Sequence, residues 1–587
     1  MTGTLNQAKK WYQRKLLWLF VILILLVYFC FVPSRLRISP ETTGITEPLT
    51  ADGRVDYFAA FESMYIDDLS PATNNGQRLL IAACGPRILE MNALLDRIGE
   101  WEKVPLNEDA KTWFNNYWIP LCENIYIDPY KKPMFYDKRD FISYMKKYFK
   151  EQKEAAGEKY DNENENDVDK LYKELTAGTW KREEHPEASK WLDEYSEVLD
   201  YFGMCVRKPH FANWRKKYED GSLLSVLLPD VQSNRSFATS LRLRICERIG
   251  RGDIDGAWHD IMSIKYLSRH YVNENFIVIN LVGIAVDAIA NDATKLLLIH
   301  CQPNEKQLAK FISDLDNLPE FNPKGLTLAF DRLLLFQTIQ LFQSKGYLQL
   351  LDELDTAPAS DLLIVMFRLL ARLPYDANIA GKHLTKIWNE IELKNIKHSA
   401  INPALRRQYA EQLEKVVGKY SEKIKSTRKV FGISIPNDFY RIPLIRTRSE
   451  LLAEYIVSYF TSAMQTATLS FDRYDALNEM QRLAIILERY KLANGKYPDK
   501  LDDLVPKYID IVPIDPFTGK ATFVYKLSDP AKAESKNDPA TTETKTAEAK
   551  TTASKTLPYI LYSLGPNRKD DNATPFIGTI KDSDVVF

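Results

Sequence analysis

The sequence predicts a mainly α protein with three parts: an N-terminal transmembrane helix, an irregular helical-hairpin domain and a small α+β C-terminal domain. Three observations predict it. Leu16 to Val32 is an unbroken apolar run, LLWLFVILILLVYFCFV. Residues 51–445 are dominated by apolar residues at helical spacing. Beyond a long helical pattern over Glu450 to Ala493, two short segments, Thr522 to Leu527 and Tyr559 to Ser563, read as strands.

The apolar run is just long enough, at ~1.5 Å per residue, to cross a bilayer core with its flanks. Lys9, Lys10, Arg14 and Lys15 precede it, and Arg35 and Arg37 follow. The denser positive flank keeps the N-terminus in the cytoplasm. The expectation is a cytoplasmic stub over 1–15, a single-pass signal anchor over 16–34, and a periplasmic bulk. A cleaved signal peptide wants a small-x-small site, which Phe29 to Pro33 lacks. A lipoprotein signal wants small residues before its Cys, whereas Tyr28 and Phe29 precede Cys30.

The 587 residues suffice for two or more domains. A net charge of -1 gives no global field toward nucleic acid, and basic-aromatic nucleic-acid signatures are absent. Six cysteines include no C-x-x-C pair, so neither a zinc nor a dithiol redox site is indicated. Buried free thiols are the expectation, with one disulfide as the alternative in an oxidising compartment.

In the helical domain, 51–445, Asp56 to Ile66 and Arg78 to Ala83 open the apolar pattern, and Gly85-Pro86 breaks it. Lys150 to Lys190 is a charged stretch, read as a solvated helix pair or a mobile loop. The clearest unit runs from Arg235 to Tyr271. Phe237, Leu241, Ile245 and Ile249 mark one helix face; Gly250 and Gly252 end it; Asp253 or Asp255 caps the next helix, with Ala257, Ile261, Ile264 and Leu267 inside. This unit resembles one tetratricopeptide-type hairpin, but no fixed period follows it, so an irregular stack is expected. Phe276 to Ile299 is apolar yet contains Asp287, Asn291, Asp292 and Lys295. Each charge would cost ~2.5–3.5 kcal/mol at a bilayer centre, so a buried soluble helix is expected. Leu362 to Leu373 is too short to span and is interrupted by Arg368.

The C-terminal domain, 446–587, begins with the long helix. Asn494 and Gly495 stop it, Tyr497-Pro498 makes a turn, and Asp499 caps a short helix carrying Leu501, Leu504 and Val505. Residues 528–556 hold only Ala, Thr, Lys, Glu, Ser, Asp, Pro and Asn, and are expected to be a disordered insertion in a hairpin. The ordered motifs are Gly495-Lys496-Tyr497-Pro498, Leu501 to Pro506, Asp515-Pro516-Phe517-Thr518-Gly519 and Tyr562-Ser563-Leu564-Gly565. In this order they resemble the C-terminal domain of type II secretion pseudopilins, the G type above all. The leader glycine and the early glutamate of that family are missing from the apolar segment, so the protein is not read as a processed filament subunit. As a whole it resembles a group of large membrane-anchored envelope proteins of planctomycete-type bacteria, a likeness that supplies no activity.

Catalytic signatures are scarce: no phosphate-binding Gly-Lys-Ser/Thr loop, no G-x-S-x-G elbow and no close histidine cluster. The candidate site is the loop LGPNRKDDNATPF with the terminal KDSDVVF. Asn567, Asp570, Asp571, Asp582 and Asp584 offer the oxygens a calcium ion takes. The resemblance implies calcium here, with Leu564 to Asn567 matching the start of the family's loop and Asp582 to Val585 its end. Two departures weaken the match: Asn567 replaces a charged ligand, and Arg568 replaces a flexible glycine. The resulting expectation is a non-enzymatic, membrane-anchored binding or scaffold module with a protein partner, beside a type II secretion or pilus-like system. The alternative is an enzyme with its site in a cleft of the helical domain.

Overall fold

The computed structural model describes residues 35–64, 74–85, 134–135, 138, 140–155, 157, 162–211, 223, 229–322, 329–342, 375–391, 403–425, 427–430, 433–436, 441–442, 444–527, 557–573 and 584–587. The expected stub and anchor, the stretch Leu362 to Leu373, the insertion 528–556 and Asp582 lie outside these residues.

The protein is mainly helical. In sequence order the described helices are α1 (Pro40–Thr43), α2 (Tyr57–Ser63), α3 (Gly76–Cys84), α4 (Phe141–Ala155), α5 (Asn162–Ala177), α6 (Pro186–Val206), α7 (Pro229–Gly250), α8 (Ile254–Val272), α9 (Ile277–His300), α10 (Glu305–Asp316), α11 (Ala329–Phe342), α12 (Ala377–Ile391) and α13 (Pro403–Lys425). A short hairpin, β1 (Thr427–Val430) and β2 (Ile433–Pro436), precedes the 50-residue helix α14 (Ile445–Asn494). A 3-10 turn (Leu501–Leu504) and strands β3 (Val524–Leu527), β4 (Tyr559–Ser563) and β5 (Val585–Val586) follow.

The α7–α8 hairpin forms as its periodicity dictates. Phe237, Leu241, Ile245 and Ile249 are buried on α7, and Ala257, Ile261, Ile264 and Leu267 on α8. Asp253 is the cap: its Oδ1 accepts the Gly256 N–H at 3.0 Å. Gly250 is required for packing rather than for its backbone angle. A Cβ there would lie 2.2 Å from the Trp180 carbonyl oxygen. The charged stretch resolves into α4, α5 and the start of α6, with α4 packed on α5.

Among the described residues one helix, α9, is long and apolar enough to cross a membrane by length and composition. Its buried side also carries Asn280, Asp287, Asn291 and Thr294, which hydrogen-bond to residues of α8 and α14. Cys84, Cys205, Cys246 and Cys301 are free thiols, three of them buried.

Helix α14 runs through two apolar cores. Its first half, including Leu451, Leu452, Tyr455 and Ile456, packs with α2, α11, α12 and α13. Its second half, including Met480, Leu483, Ile486 and Leu487, joins a core that holds residues of α3 to α10 together with Phe517, Phe523, Tyr559, Leu561, Val585 and Phe587. Gly495, at φ +75°, ends the helix in the left-handed conformation expected of it.

Several local expectations need correction. Lys500, not Asp499, starts the turn after Pro498, and it is a 3-10 turn in which the Asp503 carboxylate accepts the Lys500 N–H. Val505 falls outside it and is exposed. Strand β3 starts at Val524 because Thr522 makes only an isolated bridge to Ile514. The β1–β2 hairpin sits in a region read as helical, since its four-residue strands are too short to show a period. Strand β5 is an additional partner of β4, giving an antiparallel sheet in the order β3-β4-β5 with Val524 opposite Tyr562 and Ser563 opposite Val585.

Candidate functional site

The candidate loop leaves β4 and returns at β5, so the sheet brings its two ends together: Ser563 pairs with Val585, next to Leu564 and Asp584. Asp515 fixes the start of the loop. Its Oδ1 accepts the Ser563 hydroxyl at 2.9 Å and the Phe517 N–H at 2.9 Å, and its Oδ2 accepts the Leu564 N–H at 3.1 Å. This buried carboxylate ties the Asp-Pro-Phe turn to the end of β4.

The predicted residues do not all converge. Asp570 turns toward the sheet. Its Oδ1 accepts the Tyr562 hydroxyl at 2.7 Å and the Asn572 N–H at 2.9 Å, and Lys526 lies 3.3 Å from its Oδ2. The Tyr562 hydrogen bond is the main cause holding Asp570 below the usual carboxylate range. Asp571 is bridged to Asn567, whose Nδ2 donates to its Oδ2 at 2.8 Å, while Asn567 Oδ1 accepts the Lys569 N–H.

Asp584 is buried at 2 % exposure. Its Oδ2 accepts the Ala573 N–H at 2.9 Å, and among the described residues Oδ1 has no hydrogen-bond partner of good geometry. Burial raises its pKa first, and the charges of Asp571 and Asp570 add to this; the backbone N–H groups of Ala573 and Asp571 pull the other way. A buried carboxylate beside two other carboxylates is electrostatically costly.

Backbone conformation shapes the loop. Gly565, Arg568, Asn572 and Ala573 all have positive φ. Arg568, at +58°, adopts the left-handed angle that a glycine would take at that place. Its guanidinium reaches Glu411, 3.9 Å away and exposed, rather than the acidic residues of its own loop.

A hard cation would suit this donor set in kind, since every side-chain donor is an oxygen. Among the described residues, however, no three His, Cys, Asp or Glu side chains stand together as a metal cluster. Asp571 and Asp570 both act on Asp584 by charge, and Asp570 is also bound to Lys526 and Tyr562. The sequence marks Asp515 and Tyr562 as motif residues and Lys526 as part of a strand, without their roles at the site. The Asp-Pro-Phe turn was the available signal for Asp515, and alternation in β3 and β4 the signal for the other two.

Comparison with known proteins returns no matching family model, no matching curated protein and no matching solved structure.

Proposed function

We propose that the protein is a non-enzymatic binding or scaffold module, tethered to the membrane by its N-terminal apolar segment. Its C-terminal unit works at the cell envelope beside a type II secretion or pilus-like assembly. The observation that carries this reading is the concentration of exposed apolar side chains on that unit. Leu492, Val505, Ile511, Ile514, Leu527 and Ile560 are all exposed, Ile511 at 74 %. In this reading these side chains are the surface that a protein partner covers. The reading also rests on the pseudopilin resemblance of the sequence motifs from Gly495 to Gly565.

In this reading calcium is a structural ion. Asp571 and Asp584 would hold it, with Asn567 and the Leu564 carbonyl completing the oxygen set. The ion would neutralise the carboxylates and pin the loop to β5.

The experiment is capture from detergent-solubilised membranes of the source cell with the full-length protein, alongside an Ile511→Asp/Ile514→Asp variant. Recovery of a secretion or pilus component by wild type, lost in the variant, is the expected result. Failure of wild type to recover any such component removes the assignment.

A further inference from the structure

At the junction of α8, α9 and α14 a buried amine, a buried carboxylate and two amide side chains, one of them partly exposed, are in contact. Lys265 is 1 % exposed, Asp287 1 % and Asn291 4 %. Lys265 Nζ donates to Asn291 Oδ1 at 2.8 Å, to Asn478 Oδ1 at 2.9 Å and to Asp287 Oδ2 at 3.2 Å. All three amine hydrogens are thus used. Asp287 Oδ2 in turn accepts Nδ2 of Asn291 and Nδ2 of Asn478, each at 2.8 Å. An amine, two amide side chains and a carboxylate that touches all of them are held together at the edge of an apolar core.

We propose that Lys265 and Asn478 become joined by an intramolecular isopeptide bond, with Asp287 as the proton carrier. The amine proton already donated to Asp287 passes to its Oδ2. The freed lone pair on Nζ forms an N–C bond to Cγ of Asn478. The Cγ–Nδ2 bond of Asn478 then breaks, and Nδ2 takes up a second amine proton, relayed through Asp287, and leaves as ammonia. Of the three original amine hydrogens one stays on the new amide, one leaves with ammonia and one remains on Asp287. An ammonium, a carboxylate and an amide have become a secondary amide, a carboxylic acid and ammonia. Charge balances, and no oxidant, reductant or cofactor is needed.

Three features favour this chemistry. Burial pushes the Lys265 amine down to about 8, against the opposing pull of Asp287, so a neutral nucleophile is accessible. The carboxylate sits on the leaving nitrogen, where a general acid must be. The folded core holds the reactants in contact, which replaces a bimolecular encounter. Asn478 is the substrate rather than Asn291 because Asn291 lies on the same helix as Asp287, four residues on, and serves to hold the amine. Asn478 comes from α14, its Nδ2 has a second acceptor in the Tyr474 carbonyl at 2.8 Å, and its partial exposure gives ammonia a way out. The bond would weld α14 to α8 across 213 residues of sequence.

Peptide mapping by mass spectrometry of the purified full-length wild-type protein tests the proposal. The expected result is a branched peptide joining Lys265 to Asn478, lighter by one ammonia than its two linear parts. The branched peptide is the readout rather than intact mass, because a succinimide at Asn494-Gly495 would also lose ammonia. Asn478→Ala, checked for native circular dichroism, should yield only linear peptides at Lys265. Linear peptides alone from the wild type overturn the proposal, and a branch to Asn291 overturns the choice of Asn478.

Discussion

Asp584 is the residue on which the loop turns. Its carboxyl is held above its ordinary value by burial and by Asp571 and Asp570. A raised carboxyl means the folded state binds the proton more readily than the unfolded one. Stability from this group therefore falls as pH rises from the ordinary Asp value, ~3.9, through the raised one. At neutral pH without a cation, Asp584 is a cost that Asp584→Asn removes while keeping an oxygen for the Ala573 N–H. Scanning calorimetry at neutral pH should find the Asn variant at least as stable as wild type in chelator. Calcium at 100 times its Kd should add about 2.7 kcal/mol to wild type and nothing to the variant. An equal calcium response in both would remove Asp584 from the ligand set. The oxygen-rich loop was legible in the sequence because its residues are close along the backbone. The commitment of Asp570 was not, since Lys526 approaches from 44 residues away. Asp515 reaches Ser563 across 48 residues, a distance no local pattern encodes.

Elements were legible wherever a period had room to repeat. The α7–α8 hairpin spans enough turns for its apolar face and its cap to be read directly, and Gly85 and Gly495 end their helices as expected. The β1–β2 hairpin and the two-residue β5 offered no such length. The two glycines of the α7–α8 turn also look alike in sequence while acting differently. Gly252, at φ +80°, has nothing within 4 Å of a built Cβ, whereas Gly250 lies under the Trp180 carbonyl. Gly250→Ala should thus force the backbone apart and cost about 1–3 kcal/mol. Gly252→Asn places a residue that tolerates the left-handed region and should cost less than ~1 kcal/mol. Urea unfolding midpoints at unchanged slope would measure both. The reverse order would mean that conformation, not contact, selects glycine at 250.

At the scale of the molecule, α14 joins what the sequence divided. The motifs after residue 446 suggested a separate unit, because they are contiguous and self-consistent in order. Packing follows a different logic: Met480, Leu483 and Leu487 share one core with Trp258, Leu297 and Phe311 as well as with Leu561 and Val585. Arg482 and Arg489 reach Asp316 and Glu305 at the two ends of α10. Gln481 donates to Thr294 of α9 in a buried contact. A fragment of residues 446–587 would expose the face of α14 that these helices cover, including Gln481, with its amide stripped of its partner. Its sheet is three short strands, and β5 contributes only two residues. Such a fragment should show helical circular dichroism without a cooperative thermal transition, and should bind a hydrophobic dye. A protein of residues 35–587 should unfold cooperatively through the core shared by α9 and α14. A sharp, independent transition in the fragment would instead mean that the tail supplies its own stability and that its contact with α9 and α10 is a docking interface between autonomous units.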